Sequence, residues 1–167
     1  MADDARPVGH RCEVRRASPA DSTSLAELRW AWRAVERSEA GLSRPEFVTE
    51  FHRWFESHSA THAAFLAVAG TVPIGMAWLA TIDRVPGPGV WTRLAGHLQS
   101  VYVLPEHRNG GIGAALVTAV LREAKERGFD YVVVHPSERS FPLYRRHGFR
   151  ETQAVLEVDL RERRSTS

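Results

Sequence analysis

Residues 98–113 read Leu-Gln-Ser-Val-Tyr-Val-Leu-Pro-Glu-His-Arg-Asn-Gly-Gly-Ile-Gly, and residues 114–128 continue as AALVTAVLREAKERG. Apolar residues at Leu98, Val101 and Val103 end at Pro105, which cannot donate to a strand ladder. A charged turn and a glycine cluster follow. Ile112, Leu116, Ala119, Val120 and Ala124 then recur at i, i+4, i+7, i+8 and i+12, which predicts a helix with one apolar face. Charged residues fill much of its other side, and Gly128 stands where helices commonly end. The order is strand, tight glycine loop, helix N-terminus.

That order suits an anion. The first N–H groups of a helix lack intrahelical partners and lie at the positive end of its dipole. Gly110, Gly111 and Gly113 remove side chains that would hold a ligand off the backbone. Phosphate or pyrophosphate is the fitting ligand class. The loop lacks the Gly-Lys-Ser/Thr ending of a Walker-type sequence and fails the spacing of a dinucleotide-binding fingerprint.

The loop matches R-x-x-G-x-G, with Arg108, Gly111 and Gly113 in place. Together with VYVLPEH before it, this resembles the acetyl-coenzyme A loop of the GCN5-related N-acetyltransferase (GNAT) superfamily. Downstream, Leu143-Tyr144-Arg145-Arg146-His147-Gly148-Phe149 is similar to the superfamily's L-Y-x-x-x-G-F signature, and the strand-like DYVVVH lies between the two. The resemblance covers residues 98–149. It implies a mixed α/β fold: a twisted, mostly antiparallel sheet with helices on both faces, whose fourth and fifth strands are parallel and splay apart. The pantetheine arm of acetyl-CoA would lie in that opening along Val101, Tyr102 and Val103. Its pyrophosphate would meet Arg108, Asn109, Gly110, Gly111, Ile112, Gly113 and Ala114.

The remaining chain predicts elements that suit this fold. Cys12 to Arg16 reads as a first strand. Ser18-Pro19 starts a helix that runs to about Arg37, with Leu25, Leu28, Trp32 and Val35 as its stripe. Ser43-Arg44-Pro45-Glu46 starts a second helix, with Phe47, Phe51, Trp54 and Phe55 on one face. Ala63 to Ala69 and Val72 to Ile82 form a hairpin about Gly70-Thr71, and Leu94 to Val103 is the next strand. Tyr131 to His135 follows the long helix, then a short helix near Arg139 to His147 and a last strand near Glu151 to Asp159. Residues 1–10 read as a lead-in, 11–160 as one N-acetyltransferase domain and 161–167 as a tail.

Composition narrows the functional classes. The chain has 167 residues, 43% hydrophobic and 25% charged, with a formal net charge of +2. That balance suits a globular domain and gives no argument for nucleic acid, since the arginines are dispersed. Cys12 is the single cysteine, so neither an internal disulfide nor a cysteine metal cluster is available. The histidines lack H-x-x-x-H or H-E-x-x-H spacing, so no metal is expected. No apolar run approaches the length of a membrane span, and the reading is cytoplasmic.

Acyl transfer to an amine needs a neutral amine, stabilisation of developing oxyanion charge and a proton for the departing thiolate. The resemblance assigns the last role to Tyr144. Some superfamily members place a basic glutamate eleven positions before the motif's first residue. Here that position is His97, whose imidazole titrates near neutrality. Gln99 and Val101 would share its strand face unless a bulge intervenes, as it often does in the superfamily. Ser137 stands where an asparagine often binds the pantetheine arm. His135 at the end of the fifth strand, with Trp30, Glu36 and Gln99, forms the candidate acceptor side, and Trp78 and Trp91 are a further possible pocket wall. The expected activity is acetyl transfer from acetyl-CoA to a primary amine of a small molecule or protein by direct attack in a ternary complex. The alternative is a non-catalytic acyl-CoA sensor. Members of the superfamily often dimerise, so the resemblance implies a homodimer.

Overall fold

The computed structural model describes residues 12–152 and 157–158. Among the described residues, five strands form one sheet in the order β1-β2-β3-β4-β5. They are β1 (Cys12–Arg16), β2 (His62–Ala69), β3 (Val72–Asp83), β4 (Leu94–Val103) and β5 (Tyr131–Val134). The first four are antiparallel neighbours, and β4 pairs with β5 in parallel. The connection from β4 to β5 is α3 (Ile112–Glu126), the crossover that a parallel pair requires.

Each face of the sheet is covered by helix. On β2 the alternation is strict: Ala63, Phe65 and Ala67 enter one core cluster, while Ala64, Leu66 and Val68 enter the other. The first cluster is completed by Leu116, Val117 and Val120 of α3, all fully buried. Burying such a side chain contributes about 1.5–3 kcal/mol relative to leaving it exposed. The second lies under α1 (Ser22–Trp30) and α2 (Arg44–Ser57), and holds Leu25, Leu28, Phe55, Met76, Trp78 and Tyr102. Trp78 is therefore core, meeting the rings of Phe51, Trp54 and Phe55, while Trp91 is 83% exposed. The two do not form a common pocket wall.

The serine-capped helix starts, each with a proline in the first turn, have the expected chemistry. The N–H of Ser43 donates to Glu46 at 2.9 Å, and the N–H of Ser18 donates to Asp21 at 2.7 Å. After α1 the chain continues as a π-helix over Ala31–Glu36. Its wider i→i+5 turn rotates later residues off the α1 stripe. Val35, expected on that stripe, is consequently 67% exposed, whereas Leu25 and Leu28 are buried. The short helix after β5 is α4 (Phe141–Arg146), preceded by a 3₁₀ turn. The last strand falls mostly outside the described residues, as do the lead-in and the tail. Residues 151–152 and 157–158 have no regular structure.

Two irregularities shape the middle of the sheet. β4 is bulged: Met76 pairs with Tyr102 but Trp78 pairs with Gln99, and Ser100 adopts φ 54°. Beyond Leu98↔Val134, β4 has no β5 partner although it runs on to Val103. The two parallel strands part there and, among the described residues, leave an open strand edge.

Candidate active site

The glycine loop closes the open end of that gap. Pro105–His107 makes one 3₁₀ turn, and Asn109 and Gly111 then take left-handed backbone at φ 67° and 81°. A Cβ on Gly111 would meet nothing within 4 Å, so its conformation and not crowding calls for glycine. Gly111 is the N-cap of α3, and its carbonyl accepts the first helical bond, from Ala115 at 3.0 Å. The N–H groups of Ile112, Gly113 and Ala114 are thus left without helical partners. The first turn of α3 carries no acidic residue. Unpaired donors, open space and the positive helix end fit a bound phosphate or pyrophosphate.

Arg108 is held beside this loop. Its Nε donates to the Val103 carbonyl at 2.9 Å, and its terminal nitrogen donates to both oxygens of Glu36 at 2.9 Å. Leu104 N–H bonds the Ile74 carbonyl at 2.9 Å. By the alternation of an antiparallel ladder, Val103 therefore turns its polar groups toward the open edge, where Arg108 reaches one of them. Glu36 also accepts from the Tyr102 hydroxyl at 2.5 Å. Burial opposes ionisation of Glu36, but these two donors hold its carboxyl below the ordinary range. Burial, and then the Glu36 bond, push the Tyr102 phenol up. Glu36 is thus engaged with Arg108 and Tyr102 and is not a free attractor for a cationic amine. Tyr102 turns its side chain into the α1–α2 core, which leaves only its backbone at the open edge.

The point where β4 and β5 part carries a pair of histidines. His97 faces the α1–α2 side of β4, since its neighbour Leu98 belongs to the α3-side cluster. Val101 also packs on the α3 side, because the bulge reverses the alternation after Gln99. Val101 and His97 accordingly face opposite ways, while Gln99 stays with His97. The Gln99 amide nitrogen donates to His97 Nδ1 at 3.1 Å, and His97 Nε2 lies 3.0 Å from His135 Nδ1. With Gln99 donating, His97 keeps its proton on Nε2 and donates to His135. Burial, with His135 as a lesser cause, pulls the His97 pKa below its ordinary value, so the ring is neutral near pH 7. His135 Nε2 is 4.0 Å from Glu157.

Tyr144 comes from α4 and is 7% exposed. Its ring meets Phe149 at 5.6 Å, and its hydroxyl makes no hydrogen bond among the described residues. Burial raises its pKa, which keeps the phenol protonated. Ser137, N-terminal to the 3₁₀ turn, bonds the Ser140 hydroxyl at 3.1 Å. Trp30 packs on Phe47 at 5.6 Å and lines a groove of about 450 Å³ with Leu28, Val35, Arg44 and Leu104. His97, Gln99 and His135 do not line that groove, so Trp30 is set apart from the histidine pair.

The strand pair, the glycine loop and α4 all lie within the stretch over which the chain matches a family pattern. The acetyltransferase (GNAT) family matches residues 24–149. The chain belongs to this family. Among curated relatives, glucosamine 6-phosphate N-acetyltransferase of Trypanosoma brucei brucei is 34% identical over 68 residues, covering 41% of this chain and 46% of that protein. An uncharacterised N-acetyltransferase of Bacillus subtilis is 29% identical over 70 residues, covering 41% of this chain and 50% of that protein. The matched region thus spans about half the length of these curated relatives. Among solved structures, a predicted acetyltransferase of Clostridium acetobutylicum with acetyl-CoA superposes with a TM-score of 0.73 at 25% identity, covering 89% of this chain and 96% of that one. The GNAT fold, with β4 and β5 parallel, is the fold of this protein.

Sequence reading did not find the side chains on the outer turn of the first helix. Arg29, Arg33 and Arg37 recur at i, i+4 and i+8, and their guanidinium carbons lie 5.1, 5.6 and 5.4 Å from the Trp32 ring centroid. The spacing was visible, but the partner was not. Arg29 reaches Ser100, whose placement depends on the β4 bulge.

Proposed function

We propose that this protein is an acetyl-CoA-dependent N-acetyltransferase that acts by direct transfer to a primary amine. The observation that carries the reading is the joint placement of an unpaired N–H cradle at the start of α3, an open β4 edge, and the Tyr144 hydroxyl on α4. Arg108 to Ala114 would hold the pyrophosphate, with the backbone of Val101, Tyr102 and Val103 along the pantetheine arm and Ser137 as a further polar contact. Bound acetyl-CoA supplies an activated acyl thioester. Tyr144, kept protonated by burial, donates a proton at its hydroxyl to the departing sulfur. His97, neutral and half-buried, takes the amine proton at Nδ1, where Gln99 now donates. The resulting imidazolium is stabilised by its Nε2–H, which already donates to His135. The acceptor would enter from the α1–α2 side, where His97 and Gln99 face. Family membership and the superposition on a structure with acetyl-CoA support the donor.

The test is free-thiol release from acetyl-CoA across a panel of primary amines, by the wild-type chain and by Tyr144→Phe. Amine-dependent thiol release that falls in Tyr144→Phe at unchanged acetyl-CoA affinity is expected. Binding of acetyl-CoA with no release on any amine would overturn catalysis and favour an acyl-CoA sensor.

A further inference from the structure

Arg29 is the least accounted-for charge on the acceptor side. It lies on α1, half-buried, and among the described residues its one side-chain hydrogen bond is from its terminal nitrogen to the Ser100 hydroxyl at 2.8 Å. A guanidinium carries five donors. Among the described residues, the other four of Arg29 make no hydrogen bond. The neighbouring charges do not neutralise it. Arg33 pairs with Glu39, and Arg108 pairs with Glu36. Neither Arg29 nor Arg37 has a carboxylate within ion-pair distance among the described residues, although Glu39 acts on Arg29, and Glu36 on Arg37, from further away. Among the described residues, three arginines therefore surround Trp32, with Arg108 on the neighbouring Tyr102 ring, and these four share two glutamates, Glu36 and Glu39.

A half-buried guanidinium without a counter-ion is costly unless something anionic visits it. Burial and then the neighbouring Arg33 and Arg37 disfavour its charge, and yet the sequence places arginine there. Its location is informative. Ser100 sits at the left-handed bulge of β4, directly after Gln99 and three positions beyond His97, a span of up to roughly 10 Å of strand. Trp32 lies 5.1 Å from the Arg29 carbon, so the ring supports the guanidinium while its donors stay available.

We propose that Arg29, with Arg37 and the Ser100 hydroxyl, is an oxyanion site that selects an acidic acceptor: an amine carrying a phosphate or carboxylate up to roughly 10 Å from the reacting nitrogen. This rests on the N-acetyltransferase reading above. Planar, fork-like recognition of such groups is what arginine supplies and lysine does not.

The test compares ω-aminoalkyl phosphates and ω-amino carboxylates of increasing length with the matching neutral amino alcohols, each scored by kcat/KM for thiol release. The wild type is expected to prefer the anionic member by about tenfold to a hundredfold, expressed in KM, with an optimum chain length. In Arg29→Gln that ratio should fall towards one, with Arg29→Lys between, and acetyl-CoA affinity unchanged. A ratio near one in the wild type, or one that survives Arg29→Gln, overturns the site. A loss of acetyl-CoA affinity in Arg29→Gln with the ratio preserved also overturns it, because the guanidinium would then serve the donor. If no amine is turned over, the transfer reading fails, and inorganic phosphate titrated into the coenzyme A-saturated chain still decides this site. Quenching of tryptophan fluorescence that disappears in Arg29→Gln supports it, and quenching that persists or never occurs overturns it.

Discussion

Replacing Gly111 with glutamate separates what the loop does for the fold from what it does for a ligand. Gly111 holds φ 81° with open space where a Cβ would stand. The new side chain meets no clash, and its cost is the left-handed backbone, about 1–2 kcal/mol. A carboxylate at the N-cap of α3 recovers about 0.3–1 kcal/mol from the helix dipole. The net loss of stability is therefore on the order of 1 kcal/mol. Ligand binding suffers far more. A carboxylate about 5 Å from one pyrophosphate charge, at an effective dielectric near 20, is repelled by roughly 3 kcal/mol, or about two-hundredfold in Kd. Gly111→Asn is the control, since asparagine tolerates the left-handed region without adding charge. Isothermal titration with acetyl-CoA and a thermal melt read both quantities. A marked loss of affinity in Gly111→Glu with near-native melting, and a much smaller loss in Gly111→Asn, is expected. Equal affinity in the glutamate variant and the wild type would refute the placement of the pyrophosphate.

Other outcomes follow from single residues. Tyr144→Phe should lower kcat by about a hundredfold, the scale of a lost general acid, and leave acetyl-CoA affinity in place; unchanged kcat in single-turnover thiol release removes the phenol from the chemistry. The pH profile of kcat/KM should rise on its acid side with an apparent pKa below the ordinary histidine value, since burial lowers that of His97. Protonation on falling pH removes the base, so His97→Gln should abolish that limb, and a limb that persists would assign it elsewhere. Asp21 accepts two bonds from Arg15, at 2.8 and 2.7 Å, as well as the Ser18 N–H, and the Arg15 bonds foremost hold its carboxyl far below the usual range. Its contribution is present above the unfolded carboxylate pKa and is lost as pH falls; Asp21→Asn should cost about 2 kcal/mol in urea unfolding at neutral pH, and a difference that does not shrink in acid would contradict this. Gly96→Ala would place a Cβ 2.7 Å from Leu79 Cδ1 and 3.0 Å from Phe129 Cδ2; overpacking of about 1–3 kcal/mol should appear in the melt.

The parts legible in the sequence are those whose physics is local. The α3 stripe follows from 3.6-residue spacing, and all five of its predicted apolar positions are buried. The Ser-Pro helix starts and the Gly70-Thr71 hairpin rest on cap and turn chemistry within a few residues. What stayed hidden depends on distant partners or on a change of period. His97 meets His135 only because β4 and β5 align in parallel, with His97 opposite Val133. Glu36, read from the sequence as part of the acceptor side, is carried by the π-helical turn to Arg108, 72 residues away. The bulge at Ser100 separates Val101 from the face of His97, and a strand pattern read with period two carries no sign of where that period breaks.

The most direct measurement is a calorimetric titration of the wild-type chain with acetyl-CoA, followed in the same sample by thiol release on adding primary amines. Saturable binding of one acetyl-CoA per chain, with amine-dependent release, is the predicted result. No binding would contradict the account at its base, because the glycine loop, Tyr144 and the histidine pair are all read around that one ligand.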